Sequence, residues 1–132
     1  MILTHTSVRT SNMDKSINFY TKLIGLKLQG RHEIPQNNAE IAFLQDPDAK
    51  GSTLELTYYH KQEKFIQPEY ENRIFDHLAF TVQNMQKTID TLRKNNVTIT
   101  DEPYTLSSGG PTIAFIEDPD GTLIELIERK QH

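Results

Sequence analysis

An internal repeat limits what this chain can fold into more than any other feature. Laying the first half over the second at an offset of 77 − 5 = 72 places His5 on His77, Asn12 on Asn84, Met13 on Met85, Lys15 on Lys87 and Ile17 on Ile89. The same offset, 113 − 41 = 72, lays I-A-F-L-Q-D-P-D from residue 41 over I-A-F-I-E-D-P-D from residue 113. Two extra residues in the first copy then reduce the offset to 125 − 55 = 70, and L-E-L around Glu55 falls on I-E-L around Glu125. Such self-similarity makes each copy one supersecondary unit and fixes the architecture before any single motif is weighed. A copy of about 55 residues buries too little core to stand alone, so the two should pack together or against another chain.

Within each copy the pattern reads strand, helix, then three strands, an α+β class built from two βαβββ modules. The first strand is expected over residues 2–9. Ser11 or Asn12 then offers an N-cap, and Met13, Ile17, Tyr20 and Ile24 recur at helical spacing up to a stop at Gly25. Strands over 26–31, 40–44 and 53–59 complete the copy. The second copy reads as strand 74–82, helix 85–94, and strands 97–100, 112–117 and 122–128. Asp118-Pro119-Asp120-Gly121 is a turn signal, so the last two strands should form a hairpin. The organisation expected is one domain over 1–132, with modules at 2–59 and 74–128 and a polar linker over 60–73.

The chain holds no cysteine, which removes disulfides, thiolate nucleophiles and Cys-type zinc sites and leaves His, Asp and Glu to hold any metal. Net charge is −4, and no Lys/Arg block is long enough to track a phosphate backbone, so nucleic acid is not an expected partner. There is no apolar run of membrane-spanning length and no secretory signal pattern at the N-terminus; the expectation is a cytoplasmic protein with no membrane contact.

Each copy offers one His on its first strand and one Glu on its last: His5 and Glu55, then His77 and Glu125. Two imidazoles and two carboxylates suit a divalent transition metal and leave room for water or substrate ligands. A lone His on a strand is ordinarily just a satisfied polar side chain. Repeat symmetry separates these two from His32, His60 and His132, which have no histidine counterpart. Residues two apart on a strand share a face, so Glu125 lies with Leu123 and Ile127, a setting in which a carboxylate needs a cation or hydrogen bonds. Glu55 lies with Thr53, Thr57 and Tyr59, His77 with Phe75 and Ala79, and His5 with Ser7 and Arg9. Glu128, on the other face at the strand end, reads as a surface charge.

H-T-x-x-R at residues 5–9, S-I-N-F-Y, L-E-L-T-Y, D-H-L-A-F and the closing I-A-F-I-E-D-P-D-G-T-L-I-E-L-I-E together resemble glyoxalase I of the vicinal-oxygen-chelate superfamily over nearly the whole chain. The resemblance implies the glyoxalase/bleomycin-resistance/dioxygenase fold, with His5, Glu55, His77 and Glu125 as metal ligands. It also implies isomerisation of the hemithioacetal of methylglyoxal and a thiol, Glu125 abstracting the C1 proton and Glu55 serving the other face of the substrate. The short chain is similar to the bacterial type activated by nickel or cobalt, with zinc also open, and that type implies a homodimer whose sites are shared between chains. Arg9 matches the family's thiol-substrate arginine. Tyr59 stands where Asn is common, and the loop Leu106-Ser107-Ser108-Gly109-Gly110 lacks the usual lysine, so the thiol, glutathione or another, stays open. Other superfamily chemistries also stay open: an extradiol dioxygenase or a thiol transferase with three protein ligands, against which Glu55 argues, and a metal-free resistance protein that binds small molecules.

Overall fold

The computed structural model describes residues 1–62, 66 and 69–130. The chain divides into two compact units, residues 1–66 and 67–132.

The first unit runs β1 (His5–Arg9), α1 (Met13–Asn18), a π-helical turn (Phe19–Leu23), β2 (Lys27–Ile34), β3 (Ala39–Gln45) and β4 (Thr53–Tyr59), with sheet order β1-β4-β3-β2. The second repeats the scheme with β5 (Leu78–Thr81), α2 (Met85–Lys94), β6 (Ile99–Thr105), β7 (Thr112–Glu117) and β8 (Leu123–Glu128), ordered β5-β8-β7-β6. In both sheets the first strand pairs parallel to the last and the remaining neighbours are antiparallel.

Local chemistry explains most boundaries. Asn12 and Asn84 cap their helices, each side-chain oxygen accepting from a backbone N–H three residues on, at 3.0 Å in both. The hairpin between β7 and β8 is closed by Asp118, whose Oδ1 accepts from the amides of Asp120 and Thr122 at 2.9 Å, while Gly121 takes φ 89°.

Three expectations need correction. Of the apolar stripe expected in the first helix, Met13 and Tyr20 are buried, but Ile17 and Ile24 are only half-buried, and Ser16 and Phe19 are buried instead. The π turn, closed by Ile24 N–H on the Phe19 carbonyl at 3.2 Å, adds a residue to the last turn and brings Phe19 and Tyr20 into the core together. The first strand of each copy begins later than the apolar pattern suggests. Parallel pairing starts at His5↔Thr53 and Leu78↔Ile124, and Ile2 and Ile74 ahead of it are exposed. Finally, β2 and β6 extend beyond residues 31 and 100, through segments that are polar because these are edge strands. Pro103 is accommodated in β6 beside a register shift, where no ladder hydrogen bond is needed.

Alternation along β4 and β8 divides each sheet into two faces. Leu54 and Leu56 are buried on the face against which α1 packs, so Thr53, Glu55 and Thr57 lie on the other. Ile124 and Leu126 are buried in the same way beneath α2, leaving Glu125 opposite. Leu126 is 1% exposed, and its truncation to Ala is expected to lower stability by about 2 to 5 kcal/mol, read as a lower urea midpoint. A midpoint unchanged from the parent would place the core elsewhere.

Candidate metal centre

Each unit carries one histidine–glutamate pair on the sheet face away from its helix. In the first, His5 Nε2 stands 3.7 Å from Glu55 Oε2; in the second, His77 Nε2 stands 3.9 Å from Glu125 Oε1. The two glutamates are mostly covered, at 15% and 19% side-chain exposure, and the histidines are more open at 43% and 30%. Each pair is therefore reachable while its carboxylate is largely withdrawn from water.

The repeat extends to the walls of the pairs. Phe43 is the cross-strand partner of Glu55 and meets the His5 ring edge to face at 5.8 Å; Phe115 partners Glu125 and meets His77 at 5.4 Å. Neither phenylalanine was singled out from the sequence, although the offset of 115 − 43 = 72 inside the repeated I-A-F was the available signal.

The two carboxylates differ in their partners. Glu55 Oε1 accepts from the Thr57 hydroxyl at 3.0 Å, and Thr57 in turn lies 2.8 Å from the Ser7 hydroxyl. Among the described residues no hydrogen bond reaches Glu125, whose neighbours along and across the sheet are Leu123, Ile127, Ala79 and Phe115. Behind His77, Asp76 Oδ2 lies 2.5 Å from Nδ1. Asp76 was also missed, since adjacent residues of a regular strand point to opposite faces.

The donor chemistry fits a divalent ion. The pair distances exceed a hydrogen bond, and two donors each about 2.1 Å from one ion stand roughly 3 to 4 Å apart, depending on the angle between them. Within neither unit do three or more His, Asp or Glu side chains among the described residues form a group that could hold a metal ion, so each unit offers two candidate donors.

The other candidates sit nearby in the first unit. The Arg9 guanidinium lies over the Tyr59 ring, 4.5 Å from its centroid, on the same strand faces as His5 and Glu55. A cavity of about 440 Å³ opens beside His5, walled by Thr53, Phe43, Gln45, Gly30 and His32. In the second unit the loop from Leu106 to Gly110 is a closed turn, with Gly110 N–H on the Ser107 carbonyl at 2.8 Å and Gly109 at φ 78°. Glu128 is not a free surface charge: its carboxylate accepts from the Met85 amide at the start of α2, where an anion complements the helix dipole. No helix among the described residues is long and apolar enough to cross a membrane.

The comparisons with known proteins agree with this fold. The family model described as the Glyoxalase/Bleomycin resistance protein/Dioxygenase superfamily matches residues 2–126. The lactoylglutathione lyase of Escherichia coli O157:H7 is 37% identical over 132 residues, covering 98% of this chain and 94% of that protein. The trypanothione-dependent glyoxalase I of Leishmania major superposes with a TM-score of 0.78 at 31% identity, covering 97% of this chain and 86% of that one. The glyoxalase I of Zea mays superposes with a TM-score of 0.79 at 30% identity, and there the match spans 96% of this chain but only 44% of the plant chain. With a matching model over most of its length and a relative at this identity, the chain belongs to the Glyoxalase/Bleomycin resistance protein/Dioxygenase superfamily.

Proposed function

We propose that the chain is a metal-dependent lyase of the lactoylglutathione lyase type, which isomerises the hemithioacetal of methylglyoxal and a thiol to the S-lactoyl thioester and so removes a reactive 2-oxoaldehyde. The observation that carries this reading is the pair of repeat-equivalent His–Glu couples, each with its carboxylate shielded and its imidazole open. His5, Glu55, His77 and Glu125 would hold the ion, with nickel or cobalt favoured and zinc also admissible. A divalent ion supplies Lewis-acid stabilisation of the negative charge that develops on the substrate oxygens.

The protein's own groups move the proton. Glu125 receives no hydrogen bond among the described residues, so no protein donor competes for its carboxylate when it accepts the proton from C1, which leaves the enediolate. Return of a proton at C2 completes the isomerisation. Glu55, steadied by Thr57, serves the opposite face. Arg9, pre-oriented on Tyr59, would grip a carboxylate of the thiol. In this reading the working molecule is a homodimer, each site drawing one pair from each chain.

Thiol choice is the second open branch, favoured by a specific contact. An aromatic ring under Arg9 offers no amide to hydrogen-bond a peptide, so a thiol other than glutathione is compatible with this half of the site. The test is thioester formation by protein loaded with nickel, cobalt or zinc and given methylglyoxal with glutathione or, separately, with other low-molecular-weight thiols. Turnover is expected with at least one combination and is lost in His77→Ala together with nickel binding. No thioester with any metal and thiol would overturn the assignment.

A further inference from the structure

The two histidines occupy equivalent places in the repeat, yet they are held differently. The residue before His77 is Asp76, and the residue before His5, at 76 − 72 = 4, is Thr4. Asp76 Oδ2 lies at hydrogen-bond distance, 2.5 Å, from His77 Nδ1. The Thr4 hydroxyl turns away and donates to the Ile2 carbonyl at 3.4 Å, and among the described residues nothing hydrogen-bonds the His5 ring.

The difference originates in strand pairing. In the first unit the parallel ladder already includes His5, paired with Thr53, and the Thr53 amide reaches back to the Thr4 carbonyl at 3.4 Å. In the second the ladder starts at Leu78, after His77, so the backbone at Asp76 is released from alternation and its side chain can reach its neighbour's ring.

A carboxylate can only accept, so the proton of a neutral His77 ring belongs on Nδ1, and Nε2 then carries the lone pair. Nε2 is the atom that faces Glu125, at 3.9 Å, while the Phe115 ring stands perpendicular to the imidazole at 5.4 Å and restricts its rotation.

We propose that Asp76 is a positioning residue: it fixes the tautomer and direction of His77 so that Nε2 is presented as a metal donor, making His77 the better organised of the two imidazoles. A carboxylate behind a ligating imidazole also raises its basicity as a ligand, and removing such a group typically weakens metal binding by about 10- to 100-fold. The inference rests on the metal-enzyme reading above and adds to it a residue outside the four donors.

Nitrogen-15 NMR of the histidine-labelled, metal-free protein reads the tautomer directly. His77 in the parent should show its proton on Nδ1, Asp76→Ala should lose that preference, and Asp76→Glu should recover part of it. Competition with a chromophoric chelator should show nickel affinity falling about 10- to 100-fold in Asp76→Ala with partial return in Asp76→Glu. Asp76 is 73% exposed, so the fold should survive, and an unchanged melting temperature checks this. Parent-like affinity and parent-like nitrogen shifts in Asp76→Ala would overturn the proposal. His77→Ala separates the two readings. If it abolishes nickel binding while Asp76→Ala does not disturb it, only the role of Asp76 falls; if His77→Ala binds nickel normally, the donor assignment falls as well.

Discussion

Glu125→Gln is expected to lower kcat by at least about 100-fold while the protein stays folded, because general-base catalysis typically contributes about 10² to 10⁴ and an amide cannot take the C1 proton. The amide keeps the shape of the carboxylate, so the packing between Phe115 and Ala79 on the neighbouring strands is preserved. Glu125 is the better choice for the base because it has no hydrogen-bond donor among the described residues, whereas Glu55 already accepts the Thr57 hydroxyl. Loss of the substituent's charge also weakens a metal donor, so metal content must be measured beside turnover. Exchange of the substrate C1 proton with deuterated solvent isolates the chemical step: it should slow with kcat in Glu125→Gln at full metal occupancy. Near-normal turnover in that variant would remove Glu125 from the role of base.

The fold could be read from the sequence wherever a feature was written twice or capped chemically. Asn12 and Asn84 mark both helix starts, and the repeated Asp-Pro-Asp turn marks the hairpin of the second unit. That the two sheets share one strand order follows from the repeat, since a copy that folds one way obliges the other to do the same, but the order itself was not read from the sequence. What could not be read depends on contacts between residues far apart in sequence or on a departure from regular geometry. The π turn shifts the helix stripe by a residue, and no 3.6-residue periodicity announces it. Edge strands carry polar residues on both faces, so β6 through Asp101, Glu102 and Pro103 looks like loop. Glu128 is a strand-end charge in sequence and a helix partner in space, 128 − 85 = 43 positions from the amide it accepts. For the candidate site, the four candidate donors stand out through symmetry, whereas Asp76 does not, because the symmetry is broken there by Thr4.

Chains carrying His5→Ala and Glu125→Gln, each inactive alone, are expected to regain about a quarter of the parent activity when unfolded and refolded together in equal amounts. Each unit offers two candidate donors, and two are too few to hold an ion with open positions for substrate. Ile2 and Leu3 are 91% and 77% exposed, and Ile74 and Phe75, their equivalents at the offset of 72, are 103% and 51% exposed. In the proposed homodimer these exposed apolar side chains, just ahead of each candidate histidine, are surface for the second copy to cover. If each site takes His5 and Glu55 from one chain and His77 and Glu125 from the other, a mixed dimer gathers both lesions into one site and leaves its second site whole. Random pairing makes about half of the dimers mixed, each with one of two sites restored, which gives the quarter expected under closed two-fold assembly. Should each chain instead complete its site from its own two units, every site keeps one lesion, and the refolded mixture stays as inactive as its components.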